Sequence, residues 1–483
     1  MQVVQTADFG QQTNAIAETL KAAFEHQRKA YLAQPYPSLD QRKQDLKALK
    51  NLLMENREAI IEAINKDYGN RCRQESLFAE VISTAGGIDD LLKHTKKWMK
   101  PQKRHVDQTM FPGGKSRVVP QPLGVVGLII PWNFPINLCF SQLATAFATG
   151  NRAMVKMSEN SINLTRLLIE LSPRYFSEDK LAFFEETGGV GIEFSQIPFD
   201  LIVFTGSGQT GKAVMASAAK NLTPVILELG GKAPAVIAPD FSIEKAVDRI
   251  MFIKQFNAGQ ICTNVDYVFV PEDKKEAFVA AAKAWTAKHC PDINSPDYTS
   301  VIDDRSFKRL QDTIDDATSK GATVINLNGQ EGNQAARKMP LHLILDTTAD
   351  MTIRNRETFG PLLMVLTYNN ENEVVDYINS HDRPLALYPF SNKKALQDMY
   401  IERVMSGGVT VNDALYHVGQ HDIPFGGVGP SGMGHYHGKE GFMSFSKLRP
   451  IYYQPRWSPM EMLRPPYTNF AKKTYEFLVK MNG

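Results

Sequence analysis

Apolar side chains return every three or four positions early in the chain, and Leu46, Leu49, Leu53, Ile60 and Ile64 mark one helical face. Three helical stretches come first. The clearest starts at Ser38, where Ser38 and Gln41 form an S-x-x-Q pattern resembling a capping box. Further along, the period changes. Short runs rich in Val and Ile, GVVGLII at 124–130, AMVKM at 153–157, LIVFTG at 201–206 and PVILELG at 224–230, alternate with helix-length stretches. Runs that lack polar alternation are buried on both faces, so they predict a parallel sheet covered by helices on each side. A second α/β series begins after Asp240, and from about Pro424 the chain is dense in Gly, Pro and Tyr. That last stretch is expected to lie against another lobe or subunit. There is no internal repeat and no low-complexity linker.

Composition narrows the classes. A chain of 483 residues is too long for one core and implies two to four domains, and 43% hydrophobic with 22% charged residues is ordinary for a globular protein. The four cysteines (Cys72, Cys139, Cys262, Cys290) are irregularly spaced without a CxxC pair, which predicts neither a disulfide framework nor a zinc site and fits a reducing compartment. The first thirty residues lack the charged start, apolar stretch and cleavage site of a secretory signal. The longest apolar run ends at Pro131, far short of the roughly 18 residues a membrane span needs. A cytoplasmic protein without a membrane anchor is expected, the C-terminal NFAKKTYEFLVKMNG being too short and charged for one. A net charge of +2 is too balanced for a nucleic-acid binder. The basic run at 93–104 reads as the cationic last turn of a helix, complementing its dipole before Pro101 stops it.

Chemistry enters at GSGQTG. Between the strand LIVFT and the helical KAVMASAAKNL, Gly206, Gly208 and Gly211 complete G-x-G-x-x-G in the strand-to-helix context that the dinucleotide fingerprint requires. Small residues there, Ser207 among them, let backbone amides at a helix N-terminus approach a pyrophosphate. A plain glycine-rich turn is the alternative. Read literally, the fingerprint also gives a ribose to an acid about 20 residues on, and Glu228 lies 17 residues beyond Gly211. Cys262 in GQICTN is open on local sequence between core filler and reactive thiol. His417 with His421, and His435 with His437, stand among Gly, Pro and Asp without a Cys partner or HExxH, so no metal is expected. Cys139 should be buried packing on a helix. The glycine pair at 188–189 reads as a turn and not a second phosphate loop, for want of a clean strand and helix around it. PFGGVGPSGMG at 424–434 predicts a close backbone crossing.

Taken together, VVGLIIPWNFP with Asn133, MVKMSEN with Lys156 and Glu159, FTGSGQTG, LELGGKAP with Glu228, FNAGQICTNVDYV with Cys262, ETFGP with Glu357 and Phe359, and PFGGVGPSGMG resemble the NAD(P)-dependent aldehyde dehydrogenase superfamily. The motifs fall in family order across roughly residues 38–450. RPLALYPFS at 383–391, the Asp266-Tyr267 pair and GMGHYHGKEGFMSFSKLRP are similar to the class 3 branch, and HYHGKEGF to its coniferyl aldehyde dehydrogenases. The usual superfamily loop has Thr or a similar residue where Gly208 stands, and Glu where Gln209 stands.

The resemblance implies an aldehyde-dehydrogenase-like α/β fold. Its parts would be a Rossmann-type cofactor domain (1–103 and 123–229), an α/β catalytic domain (230–423) and β-strand bridging or oligomerisation segments (104–122 and 424–483). It implies Cys262 as nucleophile, Asn133 with the Cys262 amide as oxyanion donors, and Glu228 as the base that activates water. Lys156 and Glu159 would bind the adenosine ribose, Glu357 the nicotinamide ribose, and Phe359 would pack near that ring. Glu159 beside a 2′ phosphate would repel it, so NAD is expected, with NADP possible. A homodimer is implied. The expected reaction is aldehyde to carboxylic acid, with coniferyl aldehyde to ferulate ahead of medium or long aliphatic aldehydes. A thiol hydrolase and a non-catalytic descendant of the fold are the readings outside this class.

Overall fold

The computed structural model describes residues 2–482. The early helical face is split between two helices, Leu39–Glu55 and Arg57–Tyr68, which meet at Asn56. Leu46, Leu49, Leu53, Ile60 and Ile64 all point into the core. Half of the capping box forms: the Ser38 side chain accepts from the Gln41 amide at 3.2 Å, whereas the Gln41 carboxamide turns to Asp45, 3.0 Å away. The basic run behaves as charge complementarity requires. Helix Ser83–Trp98 carries Lys96 and Lys97 in its last turn, and strand Gln102–Arg104 follows.

Three sheets organise the molecule. The first joins Val225–Leu229, Leu201–Gly206, Val125–Ile129, Arg152–Lys156 and Leu181–Phe184 in that spatial order, all parallel. Gly432–Met433 adds an antiparallel edge beside Val225–Leu229, so two residues of the glycine-rich C-terminal stretch belong to this sheet. The four apolar runs are four of its strands, and Leu181–Phe184, too short to register as a run, is the fifth. Helix Pro135–Thr149 covers one face. It starts on Pro135, where a missing N–H costs nothing, stops at Gly150 with φ +89°, and buries every residue except Asn137 and Ser141.

The second sheet has seven strands in the order Thr323–Asn326, His342–Leu345, Leu362–Tyr368, Val265–Pro271, Ala233–Ile237, Ala386–Phe390 and Gly408–Val409. All pairs are parallel except the first. The third is an antiparallel ribbon of Gln102–Arg104, Lys115–Pro122 and Ser446–Tyr453, the last an edge strand with mostly exposed side chains. Among the described residues, no helix is long and apolar enough to cross a membrane.

Candidate active site

The order of the first sheet reverses at Val125–Ile129: from there the chain steps outward to Arg152–Lys156 on one side and to Leu201–Gly206 on the other. Helices leaving the carboxyl ends of strands at such a switch point diverge, and a crevice opens between them. Here it is a cleft of about 840 Å³, lined from this side by Pro131–Asn133, Thr205–Gly208 and Glu228–Lys232. Tyr267, Arg309, Glu357, Phe359 and Tyr377 wall it from the seven-stranded side, and Cys262 also reaches it.

The three fingerprint glycines differ in what they accommodate. Helix Gly208–Ala219 is capped by Ser207, whose hydroxyl accepts from the Thr210 amide at 3.2 Å. A methyl on Gly211 would sit 2.6 Å from Leu229 Cδ2, so that glycine lets helix and strand pack closely, whereas a methyl on Gly208 would meet nothing within 4 Å. Open space beside unpaired amides at the start of a helix suits an anionic ligand. Gly211→Val should therefore lower stability by about 1–3 kcal/mol through overpacking, and Gly208→Thr by less than about 0.5 kcal/mol. Denaturant melts of the two variants measure the difference, and equal losses would remove the distinction.

Lys156 ends the neighbouring strand and lies outside the lining of the cleft. Its main partner is a residue the sequence reading missed: Lys156 Nζ is 2.8 Å from Glu186 Oε2 and 3.9 Å from the exposed Glu159. Glu186 also accepts from the amides of Gly188, Val190 and Gly191 at 2.9–3.0 Å. Burial alone would raise this carboxyl, but Lys156 and the Gly191 and Gly188 amides hold it below the usual range. The premise about the glycine pair at 188–189 is corrected here, because strand Leu181–Phe184 and helix Val190–Gln196 do flank it. It is still not an open anion loop: Glu186 already takes the amides a phosphate would need.

Cys262 follows a tight turn, Phe256–Gly259, in which Asn257, Ala258 and Gly259 all have positive φ (53°, 50° and 73°). Burial, and then the charges of Glu357 and Glu228, push its thiol up to about 12, with the Cys262 and Thr263 amides opposing. The resting sulfur is therefore protonated at neutral pH. Glu228, on strand Val225–Leu229, is 2% exposed, and neither carboxylate oxygen has a hydrogen-bond partner among the described residues. Burial drives its carboxyl well above the ordinary value. The crossing predicted at 424–434 is what encloses it. A Cβ on Gly426 or Gly427 would collide with the carbonyls of Gly434 or Ser431, and one on Gly426 would come within 3.2 Å of Glu228 Oε1.

Asn133 is buried beside these two. Its carbonyl accepts from Arg71 (2.9 Å), Tyr68 (3.1 Å) and Asn257 (3.2 Å). Its Nδ2 gives one hydrogen to the Gln260 carbonyl at 3.3 Å, and the second has no partner among the described residues. Glu357 is half-buried against Gly230; burial and Asp266 raise its carboxyl to about 8, against the Gly231 amide, Lys232 and Arg309. Phe359 has φ +43°, a conformation a bulky side chain resists. Arg309, also missed from sequence, clamps that bend by donating to the carbonyls of Thr358 (2.7 Å) and Phe359 (3.3 Å), while Trp132 meets the Phe359 ring edge-on at 5.6 Å.

Elsewhere, Cys72, Cys139 and Cys290 are buried free thiols. His417 is buried with Nδ1 2.7 Å from the Thr410 hydroxyl, and no group of three metal-ligating side chains occurs among the described residues.

A model of the aldehyde dehydrogenase family matches residues 3–451. The chain is 46% identical over 472 residues to a probable coniferyl aldehyde dehydrogenase of Pseudomonas aeruginosa, covering 97% of this chain and 98% of that one. A substrate-bound AldH of Staphylococcus aureus has the same fold with TM-score 0.88 and 31% identity, over 95% of this chain and 99% of that chain. A betaine aldehyde dehydrogenase from the same organism, solved with NAD+, gives TM-score 0.81 at 26% identity over 91% of this chain and 88% of that one. Matched along nearly its whole length in sequence and in fold, the chain belongs to the aldehyde dehydrogenase family, whose members oxidise aldehydes with a nicotinamide cofactor.

Proposed function

We propose that this enzyme converts an aromatic aldehyde of the coniferyl type to its carboxylic acid, using Cys262 as nucleophile and Glu228 as base. One observation carries the reading: a half-buried thiol and a buried carboxyl without a hydrogen-bond partner among the described residues face the same cleft at the switch point of the parallel sheet. An unsatisfied buried carboxylate lowers stability, and such a group is retained where it handles a proton.

The Cys262 thiol gives its proton to solvent water, and the thiolate attacks the aldehyde carbon to form a tetrahedral hemithioacetal with a negative oxygen. The free Nδ2 hydrogen of Asn133 and the Cys262 amide hold that oxygen, at about 3 kcal/mol for one such donor. Loss of hydride leaves a thioester. Glu228, in its ionised form, then takes a proton from the water that attacks the thioester and passes it to the departing sulfur, releasing the acid and the Cys262 thiol. A nicotinamide nucleotide bound in the cleft supplies the hydride acceptor. The Gly206–Gly208 segment with Ser207 and Gly211 would hold its pyrophosphate, Lys156 and Glu159 its adenosine ribose, and Glu357 and Phe359 its nicotinamide end. The exposed carboxylate of Glu159 favours NAD over NADP by charge repulsion.

The division into cofactor domain (1–103, 123–229), catalytic domain (230–423) and bridging segments (104–122, 424–483) belongs to the same reading, as does a homodimer. The exposed edge strand Ser446–Tyr453 offers unpaired backbone to a second copy.

The substrate assignment draws on the likeness to the Pseudomonas aeruginosa protein. It is tested by kcat/KM for coniferyl aldehyde, benzaldehydes and medium and long aliphatic aldehydes, each with NAD and NADP. Coniferyl aldehyde with NAD should head the panel. A higher value for an aliphatic aldehyde moves the substrate class, and acid release from esters without any aldehyde-dependent reduction would point to a thiol hydrolase.

A further inference from the structure

The turn that delivers Cys262 is costly to form. Asn257 and Ala258 are both left-handed, at φ 53° and 50°, a region that asparagine enters readily but that costs an alanine roughly 1–2 kcal/mol. Such a turn persists only where its surroundings fix it. On one side the fixing group is Asn257 itself, whose Nδ2 donates to the carbonyls of Asn133 (3.2 Å) and Gln260 (3.0 Å). On the other side, a buried carboxylate from a distant part of the chain receives the turn's backbone.

That carboxylate is Glu75, on the one-turn helix Arg73–Ser76 and 6% exposed. Its Oε2 accepts from the Asn257 amide at 3.0 Å and from the Thr299 hydroxyl at 2.7 Å. Its Oε1 lies 3.5 Å from the Gln255 carboxamide at the end of the preceding helix. Three donors from two segments thus converge on one acid, and none of them is a charged partner. Structural acids are ordinarily retained with a countercharge. The nearby Arg71 donates instead to Glu80 (2.9 Å) and to the Asn133 carbonyl (2.9 Å).

We infer that Glu75 is a positioning residue for the nucleophile, holding the left-handed Asn257–Gly259 turn so that Cys262 and its amide meet the aldehyde beside Asn133. This rests on the proposed role of Cys262. It adds a residue that carries no family motif in the sequence and does not line the cleft.

The test uses the whole enzyme and separates positioning from folding and from the dehydrogenase reading. Glu75→Gln keeps an acceptor oxygen for the Asn257 amide, and Glu75→Ala removes it. Four quantities are measured: the rate constant of the p-nitrophenolate burst from p-nitrophenyl acetate, kcat and KM for aldehyde oxidation, and NAD affinity by fluorescence quenching. A displacement of about 1 Å at a reacting centre costs up to about 100-fold. The alanine variant should therefore lose about 10- to 100-fold in burst rate and in kcat, with NAD affinity within about twofold of wild type. The glutamine variant should recover to within about threefold. A burst in Glu75→Ala equal to wild type overturns the inference, and so does an equal loss in both variants. If Glu75→Ala does not fold, Thr299→Val and Glu75→Gln decide by the same burst, Thr299→Val being the slower. Should the wild-type enzyme show an ester burst but no aldehyde oxidation, the dehydrogenase reading fails while the burst comparison still judges Glu75.

Discussion

Cys262→Ala is expected to abolish aldehyde oxidation, with kcat falling on the order of 10⁴-fold or more, as removal of a covalent nucleophile does elsewhere. The other three thiols cannot substitute, because Cys72, Cys139 and Cys290 are buried away from the cleft lining. Nucleotide affinity should be unchanged, since the fingerprint glycines, Lys156 and Glu357 are untouched. The wild-type thiol, raised to about 12 by burial and by the two neighbouring acids, is neutral at rest. Its alkylation by iodoacetamide should consequently be slow at pH 7 and rise with pH up to that value, since only the thiolate reacts. Turnover and iodoacetamide labelling of the Cys262 peptide check both halves. Retained activity in Cys262→Ala would end the covalent mechanism.

Glu228→Gln should cut steady-state turnover by roughly 10²- to 10⁴-fold, the span typical of a positioned general base, while one equivalent of reduced nucleotide still appears in a burst. The burst survives because hydride loss from the hemithioacetal comes before the water step that Glu228 serves. Slower alkylation with no burst would instead make Glu228 the base that ionises the thiol. A large loss of NAD binding with normal turnover at saturation would return Glu228 to the ribose role that the fingerprint spacing allows.

The same substitution carries a stability signature. The folded-state value of Glu228 is raised, so between the unfolded carboxyl value, near 4.5, and that raised value the folded protein holds a proton that the unfolded chain has released. The penalty from Glu228 is therefore absent in acid and grows as pH rises through this window. A neutral glutamine avoids it, and Glu228→Gln should gain about 1–3 kcal/mol at pH 8 and little at pH 4. Thermal melts at the two pH values read this difference directly. A variant more stable than wild type yet nearly inactive is what a buried proton-handling acid without a countercharge predicts.

How much of this was legible beforehand depends on whether the cause is local. The parallel strands were, because Val- and Ile-rich runs without polar alternation have no other way to satisfy their backbone than inside a covered sheet. The order of Asn133, Glu228, Cys262 and Glu357 was legible as well, since each sits in a short motif. Leu181–Phe184 escaped because four residues carry too little periodicity, and with it went the flanks of the 188–189 turn. Glu186, Arg309 and Glu75 escaped for another reason. Each works through a partner 30 to 182 positions away, Lys156, the Phe359 carbonyl and the Asn257 amide respectively.

The sequence alone determined which strands form, where the glycine-rich loop turns, and which thiol and which acids stand in family motifs, because backbone sterics and burial patterns act between near neighbours. Only the tertiary structure decided that burial raises the Cys262 thiol, that Glu228 has no hydrogen-bond partner among the described residues, that Gly208 is open while Gly211 is packed, and that Glu75 accepts from the Asn257 amide. Those are properties of electrostatics and exclusion, which depend on distance in space and on how much water the packed lobes leave behind.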